Sequence, residues 1–338
     1  MKILYVEDEL SKNIPKIKRI FEKYLGKDII KQLSEFEKDD FGASPEEIKQ
    51  CVNGSGIVNV EYNFVKALEL ITNHIDDYSL LVVDRNLSQS EYDFAEIRKI
   101  IPQYSEKLYD MYFEREGDYI LTKVAFTDYD VLNKFYFVTA NSSSELKNKE
   151  DIERVIDYGE FTAENIIDKS DSKALEKLRT RINQNVKLNI KLDNISYLTF
   201  LEKNIGINAA NKFFELLENK GNSIGNKLTS CRILLENLLT ELAKKMEKNN
   251  SECWRYSKGD KKELNLSGYI REIINNEYKK YKSNEIIRNA FYSIKSISNE
   301  FGAHEDLTSV NGEATEDTVQ TLIFGLKDII TWLEREHY

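Results

Sequence analysis

Short apolar runs, each followed by polar residues, divide the first half of the chain. The clearest run is 79–83, where Leu80 to Val83 occur without a polar interruption and lead into Asp84. A short unbroken run of this kind is typical of a strand buried on both faces of a parallel sheet. Four further strands are predicted at residues 2–6, 56–62, 134–140 and 166–167.

Between these runs the apolar residues recur at helical spacing. Residues 11–24, 64–74 and 172–182 each carry such a stripe. Strands that alternate with crossover helices form a doubly wound parallel sheet, so we expect an α/β fold with five parallel strands. Residues 27–55 and 88–133 are longer than one crossover requires. They are predicted to be insertions, the first containing one short helix.

The second half of the chain has a helical pattern. Residues 183–194 are predicted to be a polar connection, and no strand-like run is expected after residue 195. The last helix carries a continuous apolar stripe, which is typical of a core or a partner-helix face. The chain is thus predicted to be an α/β domain over 1–183 followed by a C-terminal helical bundle over 184–338. The predicted helices of this bundle are 196–203, 209–220, 228–248, 267–282, 284–301 and 316–336.

Composition and charge narrow the classes of function. A chain of 338 residues suits two domains. The net charge of −10 arises in residues 1–184, where 26 Lys and Arg oppose 36 Asp and Glu, whereas the remainder has 22 of each. An acidic first half disfavours nucleic-acid binding there, because phosphate is repelled. The neutral second half neither favours nor excludes nucleic-acid binding. Its basic clusters are more typical of a solvent-exposed face than of a nucleic-acid surface.

Membrane association and disulfide bonding are not expected. No apolar run approaches the roughly 20 residues that a membrane span needs. The first residues become acidic at Glu7, too early for a secretory signal. Cys51, Cys231 and Cys253 are far apart and match neither a disulfide framework nor a zinc site. A cytoplasmic protein is the simplest prediction.

Chemically useful residues follow the predicted strands. Glu7 and Asp8 follow the first, Asp84 the third, Thr139 ends the fourth and Lys169 follows the fifth. The carboxyl ends of parallel strands meet at one edge, so we expect these side chains to converge. Three carboxylates repel one another unless a cation lies among them, and their hard oxygens suit Mg²⁺. A hydroxyl and an ammonium can bind phosphoryl oxygens, so the pattern favours phosphoryl transfer onto a carboxylate. Taken alone, Asp84 could equally cap a turn.

Residues 1–183 resemble the receiver domain of bacterial two-component response regulators. The segments that carry the resemblance are 3–9, 80–87, 137–140 and 166–169. The resemblance implies a receiver fold and a phosphoaccepting Asp84, which a histidine kinase or a small phosphodonor would phosphorylate.

The resemblance also implies the other residues of the site. Glu7, Asp8 and Asp84, with the backbone carbonyl of Asn86, would bind Mg²⁺. The phosphoryl group would be bound by Thr139, Ala140 and Lys169.

The chain departs from this family at several positions. Ser170 follows the lysine where the family usually has proline, and Ile166 stands where many receivers carry an aromatic switch residue. The insertions at 27–55 and 88–133 are also atypical. Three roles for them stay open: to cover the site, to form a partner surface, or to decorate the fold.

The helical half resembles, from about residue 228, HEPN-like bundles of bacterial defence and abortive-infection proteins. The segments concerned are 294–305, 231–236 and the final helix. In catalytic HEPN proteins an arginine shortly before a histidine forms a metal-independent RNase site in a dimer. Here Asn299 stands at the place of that arginine, which disfavours catalysis because the scissile phosphate loses its charge partner. Both a structural and a catalytic role for His304 stay open.

Two hypotheses of function follow. The favoured one is a signalling protein whose phosphoaccepting receiver domain controls a helical output or dimerisation domain. It implies a phosphodonor and a homodimer as partners. The alternative is an RNA-cleaving or antiphage effector that is regulated by, or merely attached to, the receiver domain. DNA binding is not expected, because no helix-turn-helix with a basic recognition helix is present.

Overall fold

The chain divides into two compact units, Met1–Leu192 and Asp193–Tyr338. No helix in the described part of the chain is both long enough and apolar enough to cross a membrane. The computed structural model describes residues 1–38, 42–89, 92–140, 142–156, 161, 164–219, 223–245, 254–256, 262–265, 268–271, 285–301 and 314–337.

A five-stranded parallel sheet forms the centre of the first unit, with the spatial order β2-β1-β3-β4-β5. Every residue of β3 and β4 is buried, which accounts for their almost entirely apolar sequences. The predicted five-stranded parallel sheet is therefore confirmed. The strands are β1 Lys2–Val6, β2 Val58–Glu61, β3 Tyr78–Val83, β4 Phe135–Thr139 and β5 Ile166–Asp168.

Helices cover both faces of this sheet. Tyr5 of β1 packs edge-to-face against Phe21 of the first helix, whereas Leu4 and Val6 point into a core shared with the helices from Phe64 onward. Alternate residues of one strand are thus buried on opposite faces. The helices of this unit are α1 Leu10–Phe36, α2 Pro45–Asn53, α3 Phe64–His74, α4 Phe94–Ile100, α5 Glu106–Tyr112, α6 Glu116–Ala125, α7 Val131–Lys134, α8 Lys149–Ile156, α9 Ser172–Asn183 and α10 Val186–Asp193.

Strand register aligns the carboxyl ends of the strands along one edge. Val6 is paired with Val83, so that the residues following β1 and β3 lie side by side. The Asp84 N–H donates to the Val6 carbonyl at 2.8 Å, and the Lys169 N–H donates to the Thr139 carbonyl at 3.0 Å. The strand order reverses between β1 and β3, and a ligand crevice forms at such a reversal.

The first predicted insertion, 27–55, is only partly an insertion. Helix α1 extends through it to Phe36, beyond a break at Gly26, whose φ of 73° is a conformation that glycine adopts without strain. Helix α2 is the predicted short helix. Its Ser44 and Glu47 form a capping box, in which each side chain accepts a hydrogen bond from the other residue's backbone N–H.

Two predictions about the connecting regions are wrong. Residues 183–194 are not a plain connection, because α10 forms there and buries Leu188 completely. Strands also occur after residue 195, as an antiparallel pair of β6 Trp254–Tyr256 and β7 Lys262–Leu264. Each of these elements is only three to eight residues long, too short for its apolar periodicity to reveal it.

Helices dominate the described part of the second unit. The apolar stripe of its last helix is buried, as expected for a core face. Of the predicted helix 267–282, the structure describes only 268–271 as helical. The longer helices are α11 Ile195–Asn204, α12 Ile207–Glu218, α13 Ile224–Lys245, α14 Glu285–Phe301 and α15 Glu316–His337, the last three of which pack against one another.

Leu81→Ala is expected to destabilise the first unit by about 2–5 kcal/mol, because it leaves a cavity in the central strand, where Leu81 is fully buried. Hydrogen exchange read over peptides from β1 and β3 would measure the loss. The surface variant Lys66→Ala should stay within about 0.5 kcal/mol of wild type. Equal protection in the two variants would contradict the assigned core.

Candidate metal centre

Three carboxylates meet at the edge of the sheet where β1 and β3 end. One carboxylate oxygen from each of Glu7, Asp8 and Asp84 lies within 4.8 Å of the other two. Glu7 is fully buried, Asp84 is 6% exposed and Asp8 is half-buried. Since Glu7 and Asp84 each follow a buried strand directly, the pairing of β1 with β3 determines their separation.

Lys169 supplies the positive charge of the cluster. Its Nζ lies 2.7 Å from Glu7 Oε2 and 2.5 Å from Asp84 Oδ2. Burial lowers the pKa of this ammonium, but the carboxylates of Glu7 and Asp84 outweigh that effect and raise its pKa above the ordinary value. One ammonium among three carboxylates leaves the cluster with a negative charge when all are ionised.

Hydrogen bonds orient two of the carboxylates. The Tyr5 hydroxyl donates to Glu7 Oε2 at 3.1 Å, and the Glu9 N–H donates to Glu7 Oε1 at 3.2 Å. Asp8 Oδ2 accepts a hydrogen bond from the Gln89 N–H at 2.7 Å. The side chains are therefore oriented by atoms of the fold itself.

Burial disfavours the ionised form of two of these carboxylates, Glu7 and Asp8. It raises the pKa of Glu7 to about 7, with a further upward contribution from Asp84 that Lys169 opposes. Burial also raises the pKa of Asp8 to about 6, against the lowering effect of the Gln89 N–H. Clustered oxygens that are poorly hydrated and incompletely neutralised fit a divalent cation such as Mg²⁺, which prefers hard oxygen ligands.

A cleft of about 590 Å³ opens beside the carboxylates. Thr139 and Ala140 line it from the end of β4, Thr139 being buried and Ala140 exposed. Asn86 also lines the cleft, and its side-chain oxygen accepts hydrogen bonds from the backbone and hydroxyl of Ser88. The residues predicted from the strand ends thus lie in or beside one cleft, and so do the two that only the receiver resemblance implies, Asn86 and Ala140. The first group is Glu7, Asp8, Asp84, Thr139 and Lys169.

The second predicted site lies outside the described residues. His304 is not among them, and of Asn299 only the helical backbone in α14 is described. The HEPN-like pair therefore stays a prediction from the sequence.

Sequence reasoning missed a buried charged group beside the cleft. Arg85, Glu116 and Asp118 are each at most 1% exposed. Arg85 forms an ion pair with Asp118, which is 33 positions away in the second predicted insertion. An arginine two positions after the end of a buried strand is a signal in the sequence, but no spacing rule identifies its partner.

Comparisons of the chain with protein-family models, curated proteins and solved structures found no significant match. The resemblances to receiver and HEPN-like domains therefore rest on the sequence segments named above. The geometry of the cleft is the remaining evidence for a function.

Glu7→Gln should stabilise the metal-free chain more at about pH 8 than at about pH 5. Between its ordinary pKa of 4.5 and its raised pKa of about 7, Glu7 retains in the folded state a proton that the unfolded chain has released. Stability therefore falls as pH rises through this interval, and the ionised carboxylate costs roughly 1–3 kcal/mol above it. Denaturant unfolding in a chelating buffer measures the difference.

Leu81→Ala serves as the control for this pH dependence, because it changes no ionisable group and its difference from wild type should be similar at both pH values. A Glu7→Gln effect that does not change with pH would show that the carboxyl group titrates as it does in water.

Mg²⁺ should raise the thermal unfolding temperature of the first unit. Binding to the folded state alone adds about 2.7 kcal/mol at a hundredfold excess over Kd. Asp8→Asn and Asp84→Asn are expected to abolish the shift, whereas Glu9→Gln should retain it, because the Glu9 side chain lines the cleft but pairs with Lys12. An equal shift in all four proteins would place the cation elsewhere.

Proposed function

We propose that the first unit accepts a phosphoryl group on Asp84 in a Mg²⁺-dependent reaction, as a receiver domain of a signalling protein. The observation that carries the proposal is the convergence of three carboxylates and one ammonium at the edge of the sheet. The strand order and the helices on both faces support a receiver-like fold.

The proposed reaction is a displacement at phosphorus. An Asp84 carboxylate oxygen attacks the phosphorus atom, and a new P–O bond forms as the bond from phosphorus to the leaving group breaks. The leaving group keeps the electron pair: acetate departs as an anion, and a histidine whose other ring nitrogen is protonated departs as neutral imidazole. The product is an acyl phosphate on Asp84.

Each residue of the cleft has a role in this proposal. Glu7, Asp8 and Asp84 would hold the cation together with the Asn86 carbonyl. When bound, Mg²⁺ supplies positive charge that neutralises the phosphoryl oxygens. Lys169 already contacts Asp84 and would pair with a phosphoryl oxygen. The Thr139 hydroxyl and the Ala140 N–H would donate hydrogen bonds to the others.

The expected partners follow from this chemistry. A histidine kinase or a small phosphodonor would supply the phosphoryl group in the cytoplasm. The second unit would act as an output or dimerisation domain, a role compatible with its packed helices. The charge added at Asp84 would bias the equilibrium between two states of the protein.

Incubation with acetyl phosphate and Mg²⁺ should add one phosphoryl group to the chain, as measured by intact mass. Asp84→Asn should abolish the adduct because it removes the nucleophile, and Lys169→Ala should slow its formation by roughly tenfold or more, because one charge-assisted contact is lost.

Glu9→Gln is the matched control, since this variant changes a carboxylate of the same cleft outside the cluster, and it should be phosphorylated like wild type. An adduct that persists in Asp84→Asn, or its absence from the wild type, would contradict the proposal.

A further inference from the structure

The second predicted insertion contacts the peptide that carries the proposed phosphoacceptor. Gly117, in the first turn of α6, donates its N–H to the Arg85 carbonyl at 3.1 Å. A Cβ atom added to Gly117 would lie 2.3 Å from the Asp84 carbonyl oxygen and 2.7 Å from the Arg85 Cα. Since both are backbone atoms, only glycine allows this approach without displacing the loop.

The Glu116 side chain contacts the same loop after β3 at Leu87, two residues after Arg85. Its Oε2 accepts a hydrogen bond from the Leu87 N–H at 3.0 Å. Its Oε1 accepts one from the Tyr92 hydroxyl at 2.7 Å and another from the Glu114 N–H at 3.1 Å. This buried carboxylate thus links the loop after β3 to two other positions of the insertion.

Arg85 and Asp118 extend the connection to the loop after β4. The two side chains form a bidentate pair, with 2.9 Å from Nε to Oδ1 and 3.1 Å from Nη2 to Oδ2. Arg85 also donates to the carbonyl oxygens of Ser144 and Glu145 at 2.9 and 3.0 Å, and Asp118 accepts from the Lys147 N–H at 3.0 Å. Residues 144–147 belong to the segment that follows Thr139 and Ala140.

The contacts of Glu116, Gly117 and Asp118 together connect two loops at the edge of the sheet. The loop that carries Asp84 and residues 144–147 are thereby connected to each other through the first turn of α6. A buried ion pair adds little net stability compared with an apolar core, because both charges lose their hydration. It does impose a defined geometry, since the bidentate pair and its backbone acceptors fit together in few other ways.

We infer that Glu116, Gly117 and Asp118 are positioning residues of the phosphorylation site. They hold the Asp84 backbone and residues 144–147, which follow Thr139 and Ala140 in the chain, in the relative positions that phosphoryl transfer requires. The insertion is therefore a part of the site, not a decoration of the fold. This inference rests on the proposed function. It does not make these residues catalytic, because none of them belongs to the carboxylate cluster.

The test uses the full chain and compares Glu116→Gln and Gly117→Ala with Val124→Ala. Gln has nearly the same shape as Glu, but it presents a donor to one of the groups that now donate to Glu116. Val124 is a fully buried core residue of the same helix with no part in the contacts above, so it controls for lost stability. The readouts are the rate of adduct formation with acetyl phosphate and Mg²⁺, the Mg²⁺ dissociation constant from calorimetry, and hydrogen exchange over Leu87.

Both positioning variants should form the adduct at least roughly tenfold more slowly, since a displacement near 1 Å has effects of this size or larger. Amide hydrogen exchange at Leu87 should accelerate in Glu116→Gln, because the Leu87 N–H donates to Glu116 in the wild type. Val124→Ala should keep the wild-type rate even if its unfolding temperature falls further. Wild-type rates in Glu116→Gln and in the folded fraction of Gly117→Ala would overturn the inference, and so would an equal slowing in Val124→Ala.

The same measurements distinguish an error in the proposed function from an error in the positioning role. A wild-type chain that binds Mg²⁺ but forms no adduct would refute phosphoryl transfer and, with it, the role of these residues in that reaction. A wild-type chain that forms the adduct while both variants match it refutes only the positioning role.

Discussion

Repulsion among three poorly hydrated carboxylates is the constraint on which the site depends. Glu7 and Asp84 are placed side by side by the pairing of β1 with β3, and Asp8 follows in the same turn. Lys169 contacts Glu7 and Asp84, and its single charge neutralises the group only in part. Burial, and after it the negative charge of Asp84, raises the proton affinity of Glu7 and Asp8. The same negative charge favours the binding of a divalent cation.

The fold keeps these groups together at two levels. The parallel ladder sets the separation of the strand ends, and its order reverses where the carboxylates lie. The first turn of α6 then holds the two loops that leave β3 and β4, through Gly117 and the pair of Arg85 with Asp118. Loops that follow short strands are mobile unless other parts of the fold hold them. The contacts made by α6 therefore matter where reacting atoms must be positioned accurately.

The sequence was most informative about the sheet and least informative about the second insertion. Unbroken apolar runs identify the strands because both faces are covered, and parallel topology then places Asp84 beside Glu7. Helix α4 offers only one fully buried position, Ile97, and α10 only Leu188, so neither shows a clear stripe. The pairing of Arg85 with Asp118 depends on tertiary packing, which no local pattern encodes. Mg²⁺ binding and phosphorylation stay predictions supported by the geometry.

Diffraction from crystals grown with Mn²⁺ in place of Mg²⁺ would show whether the cluster of Glu7, Asp8 and Asp84 binds a divalent cation. Anomalous scattering locates this cation without reference to any assumed function. We expect a peak within direct coordination distance of Asp8 and Asp84 oxygens, beside Glu7. A map without a peak among these carboxylates, with Lys169 still bridging Glu7 and Asp84 at a saturating concentration of Mn²⁺, would show that the cluster binds no divalent cation.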